Sequence, residues 1–600
     1  MILQSLVNYY EILAAAGEIS EPGYSIAKVS YALDISVNGE LISIIPMKQQ
    51  VTRGKKTFET PQSIKVPEQV KKTSGVNANF LCDNSSYVLS ISTKKDDTDL
   101  EESDREKEFE RTRQCFRAFK ELHHRILDGI DSIEAKAILL FLDDWQPEKA
   151  ETCQVLKDYL HELTSGAGIV FHINGYGYAH EIAAIKQTWE DYKRGHSNEV
   201  KMQCLVTGDV KPIARLHSSI KNLKGAQSSG ASIVSFNATA YESYGHTDQQ
   251  GLNAPVSEYA AFAYTTVLNY LLSDVEHKQT YGDTTVVYWA KTTNKIYQNI
   301  FKFALDPIVD KDKVTVDKES EGDLNAIFEK VVGGKAIGDL DDMIDGNTQF
   351  YILGLAPNAS RISIRFFMEN TFGNIMNHVV QHFRDLEIEK SPNDFEYLPL
   401  WKIMLETVSP KSKDKSASPL LAGAVLRAIL TGTPYPKILF NSVIVRIRAE
   451  HEINRGKAAI IKACLIRSSK EKYKEELIMS LNDQSNNTAY VLGRLFAVLE
   501  KAQQDANPGI NATIKDRYFT SACATPASTF PILLRLSNHH IAKANYGYVS
   551  ERRISDLMDK LDVEKNPFPA HLNLDEQGLF ILGYYHQEKA NYVKREKEEK

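Results

Sequence analysis

Cysteine is scarce in this 600-residue chain: six residues, at 82, 115, 153, 204, 464 and 523, each standing alone. No C-x-x-C pair occurs, so the sequence supports neither a zinc ribbon nor a disulfide framework, and reduced thiols are expected. Long apolar runs are missing as well. No window approaches the ~20 apolar residues of a membrane span, and the opening MILQSLVNYYEILAAAGE has neither a basic leader nor a cleavable apolar run. A soluble, cytoplasmic protein without a membrane partner is expected. Basic charge is not in excess: 71 Lys and Arg stand against 78 Asp and Glu, a net charge of −7. A general nucleic-acid coat is thereby excluded. Any nucleic-acid surface has to be a local basic cluster, because phosphate attraction is short-ranged in salt.

Complete catalytic motifs are lacking too. Gly225–Asn237, GAQSSGASIVSFN, nearly spells the phosphate loop G-x-x-x-x-G-K-[ST], but Ala231 stands where the lysine belongs. Without that lysine nothing reaches the β- and γ-phosphates. His180-Glu181 opens a zinc-protease pattern that fails at Ala184. The neighbouring pairs His123-His124 and His539-His540 occupy adjacent helix positions, which do not face one another. Asp143-Asp144, read at a strand end, could bind magnesium, although two acids are weak evidence and a turn accounts for them better. No nucleophile occupies a recognisable elbow. No catalytic residue, metal or cofactor is assigned, and a non-enzymatic role is expected; a magnesium-dependent nuclease using Asp143 and Asp144 is the alternative.

Six hundred residues exceed the roughly 250–300 that one core supports, so several domains are expected. Residues 2–16 set Leu3, Leu6, Val7, Tyr10 and Leu13 on one helical face. KVSYALDISV and ELISIIPM read as strands joined at Asn38-Gly39, which supplies the positive φ angles of a tight hairpin. Residues 94–125 read as a charged helix and 253–273 as a helix with Pro255 in its first turn. Apolar runs at 137–142, 168–173, 202–207, 232–237 and 284–290 read as strands. The reading is an α+β multidomain chain. It divides into a mixed α/β N-terminal region (1–305), an acidic linker or insertion (306–345), a middle domain with a hairpin at Pro357-Asn358-Ala359 followed by helices (346–478), and a C-terminal helical bundle (479–600).

Two polar loops combine the groups that nucleic-acid contact needs. In KKTSGVNANFLCDNSS, Lys71 and Lys72 precede Ser74, Asn77 and Asn79; in RLHSSIKNLKGAQSSG, Arg215 and Lys224 precede Gln227, Ser228 and Ser229. Lysine and arginine hold phosphates, amides read base edges, and glycines let backbone approach a ligand. Ordinary surface turns would use the same residues.

The run CLVTGDVKPIARLHSSIKNLKGAQSSGASIVSFNATAYESYGHTDQQGLNAPVSEYAAFAYTTVLNYLL resembles the central signature of the large subunit of type I-C (Dvulg subtype) CRISPR surveillance complexes, or Cascade. GDTTVVYWA, FYILGLAPNASRISIRFF and the N-terminal segments are similar to that family as well. The resemblance implies a subunit working with guide RNA and target double-stranded DNA. Its partners would be the guide-handle-binding subunit, backbone subunits, small helical subunits and a recruited helicase-nuclease. Its role would be to recognise the protospacer-adjacent motif, assist duplex opening and stabilise the R-loop, base pairing reading the remaining sequence; a purely structural assembly role is the alternative. It further implies that GAQSSGAS and YGHTDQQGLNAP face nucleic acid, which adds Gln250 and Asn253 to the candidates. Arg517, Arg535, Lys543, Arg552 and Arg553 become candidates for the displaced strand. The family's small subunit arises from an internal start, for which Met479, just before the helical tail and after Lys474-Glu475-Glu476, is the candidate.

Overall fold

The computed structural model describes residues 2–53, 56–70, 75–91, 102–150, 152–195, 200–243, 245–305, 326, 344–391, 394, 397–413, 417–469, 471–562 and 566–592. They form two compact units, Met1–Ile220 with Ser232–Tyr270, and Lys221–Ala231 with Leu271–Lys600.

The first unit opens with helix α1 (Ile2–Ala15), whose Leu6, Val7, Tyr10 and Leu13 are buried as their spacing requires. Strand β1 (Tyr24–Val29) then enters one sheet and β2 (Tyr31–Ile35) another, the switch being made at Ser30. Strand β3 (Leu41–Pro46) returns along β2 through the Asn38-Gly39 turn, and Met47 switches the chain back to β4 (Lys48–Arg53) and β5 (Lys56–Pro67). One sheet therefore has the order β1-β5-β4. The other is built on β2, with β3 on one side and β7 (Gly168–Ile173) parallel on the other; β6 (Cys82–Asn84) and β8 (Gly177–Tyr178) pair with β7. KVSYALDISV is thus two strands, not one, and the polar segment after it supplies an unforeseen β-ladder.

A short helix, α2 (Ser85–Val88), follows β6, and α3 (Glu102–Leu127) and α4 (Ile133–Asp144) cover the second sheet, with Phe119 and Phe141 against Phe171. Residues 137–142 are therefore helical, not a strand. Ser132 caps the helix by accepting from the Ala135 N–H, and Ala135, Ala137, Ile138, Phe141 and Leu142 form its buried face. A continuous apolar run this short does not separate strand from buried helix. The acidic end of that run, Asp143-Asp144, accordingly terminates a helix. After α5 (Leu160–Leu163), helix α6 (Ala183–Gly195) stacks Trp189 on Phe80, ring centroids 5.2 Å apart. Residues 202–207 yield only part of a strand, β9 (Lys201–Gln203), paired with β10 (Val210–Pro212). Residues 232–237 form no strand; their β-branched side chains have no ladder partner. Helix α7 runs Glu258–Ser273, starting three residues after Pro255.

In the second unit, β11 (Lys278–Tyr281), β12 (Thr284–Ala290), β13 (Gln349–Asn358) and β14 (Arg361–Thr371) form one antiparallel sheet in that order. The acidic stretch 306–325 lies outside the described residues. Every β12 residue is buried, and Tyr288 meets Phe301 of α8 (Ile296–Leu305), which packs on the sheet. Five helices follow: α9 (Phe372–Leu386, capped by Thr371), α10 (Leu400–Leu405), α11 (Pro419–Thr431), α12 (Lys437–Glu450) and α13 (Arg455–Ser469).

The tail contributes five more: α14 (Thr488–Ala506), α15 (Ile514–Ala524), α16 (Pro526–Lys543), α17 (Gly547–Met558) and α18 (Leu574–Tyr592). The backbones of α14 and α18 touch. A Cβ on Gly493 would collide with the Phe580 carbonyl, and one on Gly583 with the Tyr490 carbonyl. The architecture is α+β and multidomain, with strands concentrated early and helices late. No helix among the described residues is long and apolar enough to cross a membrane.

Five histidines are buried among the described residues, at 123, 180, 277, 382 and 586. His123 accepts from the Leu81 N–H at 3.0 Å through Nε2 and meets the Phe119 carbonyl through Nδ1; His382 and His586 bond the Tyr435 and Tyr490 hydroxyls. Burial pushes His123 and His586 down to about 4 and His382 down to about 3. The unfolded chain takes up these protons near pH 6.5, so stability is complete above that value and is lost as pH falls toward 4. The loss is on the order of 2 kcal/mol per histidine by pH 5. The melting temperature should therefore drop between pH 7 and pH 5, and less so in His382→Phe; a flat profile would show that the rings are not held neutral.

Candidate nucleic-acid interface

In the first unit, the segment after β9 is tied to the start of α7. The Leu205 N–H donates to the Pro255 carbonyl and Ala214 to Val256, each at 2.9 Å. Cys204 Sγ accepts from the Val206 and Ser257 N–H groups. Burial alone would raise this thiol, but hydrogen bonds from Ser257 and Thr207 outweigh it and bring it down to about 7. On this frame the Gly251 N–H donates to the Arg215 carbonyl. A Cβ on Gly251 would strike the Ala214 and Arg215 carbonyls, so only glycine permits the approach.

That approach brings together two of the sequence candidates. Arg215 Nε donates to Gln250 Oε1 at 3.0 Å, and Gln250 itself has a φ of 49°. Asn253 sits under the same loop. Its Oδ1 accepts from the Ser243 N–H at 2.8 Å, and its Nδ2 donates to the His246 and Gln250 carbonyls at 3.0 Å. All these bonds stay inside the loop, so Asn253 shapes the surface that Arg215 and Gln250 present. Both of the latter also border a cavity of about 940 Å³ lined by Trp189, Lys193, Glu68 and Tyr259. Trp189 and Lys193 were not among the sequence candidates; they lie on an ordinary amphipathic helix with no local signature. The signal for Gly251 was the glycine itself.

Lys224, Gln227, Ser228 and Ser229 belong to the second unit, where all four are exposed. Gly225, at φ +82°, rests on Pro357 at the tip of the β13–β14 hairpin, and the Gly230 N–H closes a turn on the Gln227 carbonyl. The turn therefore holds its polar side chains outward. Ala231 is buried and no helix follows it, so the position and the backbone both depart from a phosphate loop, which opens a helix.

The remaining candidates are dispersed. Lys71, Lys72 and Ser74 lie outside the described residues. Asn77 is exposed, whereas Asn79 is buried and its Oδ1 accepts from the Val70 N–H at 2.7 Å. In the tail Arg517, Arg535, Lys543 and Arg552 are exposed, and Arg553 donates to Asn591. Arg494, another basic residue of the tail, is buried and bonded to Asp483 and Gln587. Met479 is exposed, and its carbonyl accepts from the Glu389 N–H. Asp143 bonds Lys120 at 2.7 Å and His124 at 3.1 Å; the lysine chiefly, then the histidine, hold its carboxyl below the usual range. Among the described residues no three His, Cys, Asp or Glu side chains gather as a metal would need.

Asn253→Ala should unfasten the 241–253 loop, speeding amide exchange there roughly tenfold or more. Gln250→Ala should leave exchange close to wild type, because its side chain meets only Arg215 in this way. Equal protection in both variants would remove Asn253 from its organising role.

No curated protein matches the chain. A family model, CRISPR-associated protein (Cas_Csd1), matches residues 6–592, from α1 to the last described residue of α18. The match spans both units and all the loops described above, so the chain belongs to the Cas_Csd1 family, the large subunit of the type I-C CRISPR Cascade complex.

Proposed function

We propose that this Cascade subunit is the non-catalytic part that recognises DNA. It reads a short motif flanking the target on duplex DNA, assists opening of the duplex, steadies the resulting R-loop and helps recruit the helicase-nuclease, while the guide RNA reads the target by pairing. The observation that carries this reading is the exposed Gln227-Ser228-Ser229 turn beside Lys224, uncharged hydrogen-bonding groups next to a phosphate-binding cation. The Arg215–Gln250 pair repeats that chemistry in the first unit. Amides and hydroxyls discriminate base edges, whereas the cations hold the backbone whatever its sequence.

The test is duplex binding by the reconstituted guide complex, with the flanking motif intact or scrambled. Gln227→Ala/Ser228→Ala and, separately, Gln250→Ala should weaken binding of the intact-motif duplex by roughly tenfold, as loss of one good base contact does, and leave the scrambled duplex unchanged. Lys224→Ala should weaken both duplexes alike and flatten the salt dependence. Equal binding of both duplexes by wild type would leave assembly as the function.

The same reading extends to an internal start at Met479. The helices beyond it, α14 to α18, pack on one another, and the Arg494 bonds to Asn482, Asp483 and Gln587 all lie within the fragment that would result. Mass spectrometry of the complex expressed from the native coding DNA should find a polypeptide beginning at Met479; Met479→Leu with silent changes upstream should abolish it. Its absence from the wild-type complex would end the idea.

A further inference from the structure

Aromatic side chains are rarely left in water on a folded surface, yet the corner between α16 and α17 leaves two. Tyr546 is 73% and Tyr548 68% exposed, with ring centroids 6.5 Å apart in an edge-to-face arrangement. The corner is built to present them. Between the tyrosines stands Gly547, where a Cβ would run into the Ile541 carbonyl, so the chain turns tightly against the end of α16 and both flanking side chains face outward.

The surroundings are basic and polar. Residues 535–553 carry four Lys or Arg and one acidic residue, in a chain whose net charge is −7. Lys543 ends α16, and Arg552 is four residues along α17 from Tyr548, hence on the same helical face; both are exposed. Asn538, His539 and Asn545 are exposed as well. A groove of about 520 Å³, bordered by Arg535, Asn538, Ile541 and Glu551, runs between the two helices.

We propose that the Tyr546-Gly547-Tyr548 corner is a stacking platform for single-stranded nucleic acid, with bases on the two rings and phosphates held by Lys543 and Arg552. Exposed rings interleaved with cations suit a strand whose bases are unpaired, because every base offers a π-face and every linkage a charge. Duplex DNA hides the base faces and gives the rings nothing to stack on. Tyrosine and arginine also favour protein interfaces, so a protein partner is the competing occupant, which the assembly readout of the test tells apart. The inference deepens the R-loop part of the proposed function and rests on it only for which strand is bound.

The test uses the full-length chain and a labelled oligothymidylate, compared with an abasic strand of equal length and with a blunt duplex. The thymidine strand should bind tightest. Tyr546→Ala/Tyr548→Ala should weaken it by about tenfold or more, with the salt slope unchanged, and Tyr546→Phe/Tyr548→Phe should retain binding. Lys543→Gln/Arg552→Gln should lower the salt slope by roughly 1.4. Thermal melting of each variant should match wild type, since the exchanged side chains are exposed. The proposal is overturned if wild type binds the thymidine and abasic strands alike or binds neither, or if the alanine pair leaves strand binding intact. It is likewise overturned if that pair instead drops another subunit from the assembled complex, which would mark a protein contact. Motif reading is scored separately, on intact and scrambled duplexes, so either idea can fail while the other stands.

Discussion

In the second unit, helices α14 and α18 come so close that no side chain fits between them at Gly493 and Gly583. Each glycine lies against a carbonyl of the other helix, and that contact decides which residues can meet across the pair. Tyr490 reaches His586, Arg494 reaches Gln587, and the Tyr584 hydroxyl donates to Glu500 at 2.6 Å. On another side of α18, Gly578 lies beneath Phe440, Ile461 and Leu465, which docks the tail helix on α12 and α13. Small residues thus let polar groups find partners in a core that would otherwise strand them. Glu500, buried, accepts from Tyr584 and from Thr513, the residue that caps α15.

The same economy governs the loops. At Gly251 and Gly225 the absence of a side chain sets backbone against backbone or against Pro357, and the polar residues alongside are aimed by that contact. Each of the two loops is therefore fixed at its root by a close backbone contact and is polar at its surface. A side chain as short as that of Ser228 has little reach of its own, so the backbone decides where its hydroxyl lies.

Much of this was legible in the sequence wherever a local rule is strong. Asn38-Gly39, the period of α1, the β13–β14 hairpin and the succession of tail helices each follow from turn chemistry or helical spacing. The errors fall where local signals are degenerate. AILLFL at 137–142 fits strand or buried helix, and its capping serine at 132 is what decides. SIVSFN at 232–237 has strand-forming side chains, but a strand also needs a partner, which no local pattern supplies. Residue types suited to nucleic acid could be listed from sequence, but not their orientation. Asn79 and Asn253 look alike on paper, yet the first is buried beneath the Val70 N–H and the second braces a loop. The exposed tyrosines at 546 and 548 carried no sequence signal, since the packing of the corner, and not the neighbouring residues, leaves them in water.

Ser30 and Met47 each form a one-residue joint between the two sheets of the first unit. The Ser30 N–H donates to the Gly168 carbonyl and the Met47 N–H to the Ser30 carbonyl, so the joints are fastened to each other as well. Strand side chains alternate between faces, and losing or gaining one residue at either joint would invert that parity for everything on one side of it. A change of length between residues 29 and 48 is therefore confined to the 36–40 turn and to the existing irregularity between Asp34 and Ile35, and Gly39 in that turn is itself pressed against α4. The reading frame of the fold is as unforgiving there as the reading frame of the gene.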